Sequence, residues 1–78
     1  MVDFEKLKGR MKNSGMTVTA IARQSGISRE TLYNRLKGVG EFTASEIDAL
    51  TKTLRLTKEE QEKIFFSPMV NIIQQKRK

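Results

Sequence analysis

The sequence predicts an all-α fold, a compact domain of five short helices over residues 1–66, with a short tail over residues 67–78. Two observations predict it. First, an apolar residue, a capping residue and a second apolar residue four beyond the cap recur as Val2–Asp3–Leu7, Met16–Thr17–Ile21, Ile27–Ser28–Leu32 and Phe42–Thr43–Ile47. Each set is a hydrophobic staple around an N-cap, which fixes where a helix starts and the angle at which the chain enters it. Second, no stretch before residue 66 alternates apolar and polar residues with the period of a strand.

The first helix opens at Asp3 and buries Phe4, Leu7 and Met11, spaced i, i+3, i+7, while Lys6, Lys8 and Lys12 stay in water and Gly15 ends it. Thr17 caps the second helix, Val18 to Gln24, and Gly26 breaks it because glycine takes a left-handed conformation at no steric cost. Ser28 caps the third, Arg29 to Lys37, which stops at Gly38. Leu32 and Leu36 share one face of that helix, and Glu30, Tyr33, Asn34 and Lys37 fall roughly opposite. A helix so short is not stable alone, so its leucines must rest on a core. Thr43 with Glu46, and Thr57 with Glu60, form capping boxes for the fourth and fifth helices. Ile47, Leu50 and Leu54 make the fourth helix's buried stripe; Ile64 and Phe65 reach the core from the fifth, and Pro68 follows its end near an exposed Phe66.

Composition narrows the function. The chain has no cysteine and no histidine, which excludes disulfides, thiolate or imidazole metal sites and histidine-assisted nucleophilic catalysis. No metal or cofactor is expected. The remaining carboxylates and lysines are scattered over helix surfaces, so an enzyme has little support. No apolar run approaches the roughly 20 residues of a membrane span, and the expected location is the cytoplasm of a bacterial cell or a phage-infected host. The net charge of +6 is uneven. Residues 1–40 hold eight Lys/Arg against three Asp/Glu, residues 41–75 hold four against six, and Lys76, Arg77 and Lys78 end the chain. The positive field therefore lies on the half that contains the second and third helices, as a polyanion-binding face requires.

The stretch Thr17 to Gly38 resembles the helix-turn-helix of the lambda-repressor-like family, the small phage repressors and Cro proteins. The likeness rests on Ala22 in the first motif helix, Gly26 and Ile27 in the turn, Ser28 as cap, Leu32 as core residue and Gly38 as terminator. It departs at Arg35, where many members are apolar, at Leu36, where many are polar, and at Val18, where many carry glutamine. The resemblance implies a five-helix DNA-binding domain whose third helix reads the major groove, acting as a homodimer on a palindromic operator. Carried over position by position, the base readers are Arg29, Glu30, Tyr33 and Asn34. Their chemistry fits: arginine pairs bidentately with guanine, asparagine with adenine, and glutamate accepts from the cytosine amino group. Phosphate contacts are expected from Thr17, Thr19, Ser28, Lys37, Arg35 and Arg10, helped by the amide-rich start of the second helix. Phe66, Val70, Ile72 and Ile73 are expected to make a dimer or protein-partner contact. A Cro-like or minimal phage-type repressor is thus the first reading. The alternative is an antitoxin- or antirepressor-like module that binds another protein with the same fold.

Overall fold

The structure is a computed structural model and describes residues 1–67. It is all-α, with five helices in the order α1 (Phe4–Asn13), α2 (Val18–Ser25), α3 (Arg29–Leu36), α4 (Ala44–Thr53) and α5 (Lys58–Phe65). No strand occurs among the described residues. Each start is set by the side chain expected there. Asp3, Thr17, Ser28, Thr43 and Thr57 each accept from the backbone amide three residues on, and Glu46 and Glu60 close capping boxes. These bonds satisfy amides that a helix start otherwise leaves unpaired.

The ends of α2, α3 and α4 follow one scheme. After α2, Gly26 sits at φ 77° and the Ile27 amide reaches back to the Ala22 carbonyl at 3.1 Å. After α3, the Gly38 amide donates to Arg35 O at 3.0 Å and the Val39 amide to Asn34 O at 2.8 Å. After α4, the Leu56 amide donates to Thr51 O at 2.9 Å, but here Arg55 holds the left-handed position, at φ 56°. These are Schellman ends, in which an apolar residue follows the left-handed one and packs back. In two connections, Gly26–Ile27–Ser28 and Arg55–Leu56–Thr57, that apolar residue is buried and the next residue caps the following helix. Three residues thus end one helix and start another, which makes the connections short and stiff. The α3–α4 connection is longer, and Phe42 precedes the cap there.

The core contains Leu7 and Met11 of α1, Ile21 and Ala22 of α2, Leu32 of α3, Ile47 and Leu50 of α4, and Ile64 and Phe65 of α5, with Ile27, Leu54 and Leu56 from the connections. No polar or charged residue is buried among them. Phe4, expected in the buried stripe of α1, is only half-buried. Phe42 meets Phe65 edge to face, with ring centroids 5.3 Å apart at 76°. The Asp3 amide donates to the Ile64 carbonyl at 2.7 Å, fastening the start of α1 to the end of α5. Gln61 donates to Thr51 Oγ1 at 3.0 Å and joins α5 to α4.

Leu32, wholly buried, anchors α3 with help from the half-buried Leu36. Truncating a leucine so placed costs about 3–5 kcal/mol. Against the roughly 4–12 kcal/mol available to a 78-residue chain, that single side chain decides whether α3 stays docked.

Candidate nucleic-acid interface

The second motif helix is held by its apolar side and open on the other. Ala22 is small and buried, so α2 and α3 approach closely, and Ile27 plugs the turn between them. On the free side of α3, Arg29 and Glu30 stand exposed in the first turn. Tyr33 follows, 44% exposed. Asn34 is half-buried rather than fully outward, beside Val39, whose amide binds its carbonyl. Lys37, exposed, caps the C-terminal end, where a cation suits the negative end of the helix dipole. Glu30 suits the opposite end for the same reason.

The expected phosphate ligands separate into two groups. Thr17 and Thr19 lie exposed at the start of α2. Thr17 Oγ1 accepts from the Ala20 amide at 3.0 Å, which leaves its hydroxyl proton to donate. Ser28 is more committed: its oxygen accepts from the Thr31 amide at 3.1 Å and its hydroxyl donates to Thr31 Oγ1 at 2.8 Å. Arg35 and Arg10, both expected at phosphates, are engaged with the protein itself. Arg35 Nε lies 3.2 Å from Glu46 Oε1, with only 20% and 16% of the two side chains exposed, and Arg35 Nη1 donates to the Val39 carbonyl at 3.3 Å. Gly40, at φ 76°, passes so close that a Cβ there would meet the Arg35 guanidinium. Arg10 donates from Nη2 to the Leu54 carbonyl at 3.3 Å and lies 3.9 Å from Glu60 Oε2. The sequence pattern hides both roles, because Glu46 and Glu60 already have a local use in their capping boxes.

The structure also brings forward two cations that the pattern left among solvated side chains. Lys8 and Lys12, one helical turn apart on α1, line the same concavity as Thr17, Tyr33 and Lys37. Among the described residues, Lys8, Lys12, Lys37 and Arg29 have no carboxylate within ion-pair distance, whereas Arg10, Arg35, Lys52 and Lys63 each have one. Lys6, Arg23, Arg55 and Lys58 have none either, so unpaired charge is not confined to one face. But Lys8, Lys12, Arg29 and Lys37 place four such cations beside or on α2 and α3. No group of His, Cys, Asp and Glu residues fit to hold a metal occurs among the described residues, and no described helix is long and apolar enough to cross a membrane.

A family model described as the helix-turn-helix domain of resolvase matches residues 8–38, the second half of α1 and all of α2 and α3. Residues 8–38 are thus similar to a helix-turn-helix of a DNA-binding family. The matched segment is the one that holds Lys8, Lys12 and every exposed candidate on α2 and α3. It supports the helix-turn-helix as such and does not single out the lambda-repressor-like group. No curated protein and no solved structure matches the chain. Phe66, expected at a partner contact, is 56% exposed next to Phe65. Val70, Ile72 and Ile73 lie outside the described residues.

Proposed function

We propose that the chain is a sequence-specific, double-stranded DNA-binding regulator of transcription, of Cro-like or minimal phage-repressor type, with residues 1–66 as its DNA-binding unit. The observation that carries this reading is the helix-turn-helix with an exposed polar face on α3, ringed by cations that no carboxylate neutralises. The major groove admits one α-helix and displays a distinct donor and acceptor pattern for each base pair. Arg29, Glu30, Tyr33 and Asn34 are the readers. Arg29 addresses guanine, Asn34 adenine, Glu30 a cytosine amino group, and Tyr33 a thymine methyl or a phosphate. The amides at the start of α2, with Thr17, Thr19 and Lys37, take phosphates on either side. Arg10 and Arg35 hold the fold, and Ser28 contributes its backbone more than its hydroxyl.

A single α3 reads only a short half-site, so the protein acts as a homodimer on a palindrome with half-sites about one helical turn apart. Phe66 belongs to the surface through which two copies meet. The basic Lys76, Arg77 and Lys78 supplement the phosphate contacts.

A gel-shift against pools of random-sequence duplex tests the reading. Selection of one palindromic sequence supports it. Retention that smears, falls steeply with salt and enriches no sequence overturns it, and points instead to the antitoxin- or antirepressor-like alternative.

A further inference from the structure

Between α1, the start of α2 and the end of α3 lies a groove of about 520 Å³. Its floor is apolar, built from Met11, Met16, Val18, Ile21 and Leu36, and Tyr33 makes one wall. Three lysines, Lys8, Lys12 and Lys37, stand exposed along it, and no carboxylate lines it. The volume is that of a small-ligand or side-chain pocket. Methionine is unbranched and polarisable, so a floor carrying two of them adapts to the shape of what enters.

DNA uses this surface incompletely. Phosphates satisfy the lysines at the edge, but a rigid polyanion has nothing to place on an apolar floor. An occupant that satisfies both parts has aliphatic side chains on one face and carboxylates beside them. We infer that the groove docks an acidic amphipathic helix of a protein partner, its apolar side chains against Met16, Val18 and Leu36 and its carboxylates against Lys8, Lys12 and Lys37. This is helix-in-groove recognition with electrostatic complementarity at the edge. Tyr33 and Lys37 belong both to this groove and to the proposed DNA face, so peptide and DNA exclude one another. The partner therefore acts as an anionic competitor that releases the protein from DNA. Docking stands on the groove alone; only the exclusion rests on the DNA reading.

The test uses the full chain and a fluorescent amphipathic peptide of about 15 residues, with leucine along one face and glutamate elsewhere. Anisotropy gives affinity without DNA, and amide chemical shifts give the location. The inference expects saturable binding that weakens with salt, with shifts at Met16, Val18, Tyr33 and Leu36. Replacing Lys8 and Lys12 together by alanine should weaken binding roughly fivefold to tenfold, since exposed charge pairs contribute modestly. Val18→Glu should abolish it at a temperature where circular dichroism shows the chain still folded; Val18 packs partly on the core, and a carboxylate in the first turn offsets part of that loss. Duplex DNA should displace the peptide. Equal binding of the peptide with glutamine in place of glutamate overturns the inference, as do shifts centred on Phe42 and Phe66. Simultaneous binding of peptide and DNA overturns the exclusion. Failure of DNA binding beside intact peptide docking overturns the DNA reading and leaves the groove assignment standing.

Discussion

Arg35 offers the sharpest distinction between a fold-holding and a DNA-holding cation. Its guanidinium faces Glu46 at 3.2 Å, both side chains are largely shielded, and a further bond goes to the Val39 carbonyl at 3.3 Å. Exposed ion pairs contribute about 0–1 kcal/mol, and breaking a fully buried pair costs about 3–5 kcal/mol. The Arg35–Glu46 pair lies between these limits. Glu46 also keeps a bond from the Thr43 amide at 3.0 Å when Arg35 is removed, which softens the loss. Arg35→Ala should therefore destabilise by about 2 kcal/mol. For a domain of this size that lowers Tm by about 8–16 °C. A double-mutant cycle with Glu46→Ala should leave a coupling of about 1 kcal/mol. The assay is a circular dichroism melt, paired with DNA affinity measured against salt concentration well below the melt. The log–log salt slope should not change. If Arg35→Ala melted like the parent and the slope flattened by about 0.9, the guanidinium would be a phosphate ligand and the inward geometry of α3 would be misassigned.

Four further outcomes follow from the same geometry. Asn34→Ala should cost about 1–3 kcal/mol on the preferred duplex and relax preference at one base pair, measured by competition among single-substitution duplexes; unchanged preference would reject the assigned orientation of α3. Lys37→Ala should weaken all sequences alike and flatten the salt slope by about 0.9, whereas a loss confined to one sequence would make Lys37 a base reader. Arg55→Gly should raise stability by about 0.5–1 kcal/mol in a denaturant titration, because the left-handed conformation costs a non-glycine residue about 1–2 kcal/mol, partly offset by the entropy of glycine in the unfolded chain. Glu60 is held below its ordinary pKa, chiefly by the bond from the Thr57 amide and secondarily by the Arg10 charge, with partial burial opposing. A depressed carboxyl stabilises the fold above its unfolded pKa, and that contribution disappears as pH falls through the folded value. Below about pH 4.5 the parent should therefore lose more stability than Glu60→Gln, which keeps the capping box without the charge; parallel pH profiles would reject the role given to this carboxylate.

Much of the fold was legible because its signals are local. A staple and a cap span five residues, and each of Asp3, Thr17, Ser28, Thr43 and Thr57 starts a helix where its neighbours say it must. The end of α4 was not legible, since Arg55 occupies a position whose usual sign is glycine. Leu56 carries no sequence signal for a related reason: its staple partner four beyond the cap is Gln61, not an apolar residue. At the site, the polar face of α3 followed from helical periodicity, and the structure leaves Arg29, Glu30 and Tyr33 open as that periodicity requires. The shielded positions of Arg35 and Arg10 depend on partners eleven and more residues away, which no helical period can report. Lys8 and Lys12 read in the sequence only as a solvated pair, because their nearness to Tyr33 and Lys37 arises where α1 and α3 face one another across a groove.

The central claim is that α3 inserts its open face into the major groove. The direct measurement is the affinity for a selected duplex in which 7-deazapurines replace the purines. This removes the N7 acceptors from the major groove and leaves the phosphates and the minor groove unchanged. Insertion of α3 predicts a loss of about 1–3 kcal/mol for each bidentate contact to a purine. An affinity equal to that for the unmodified duplex would contradict it.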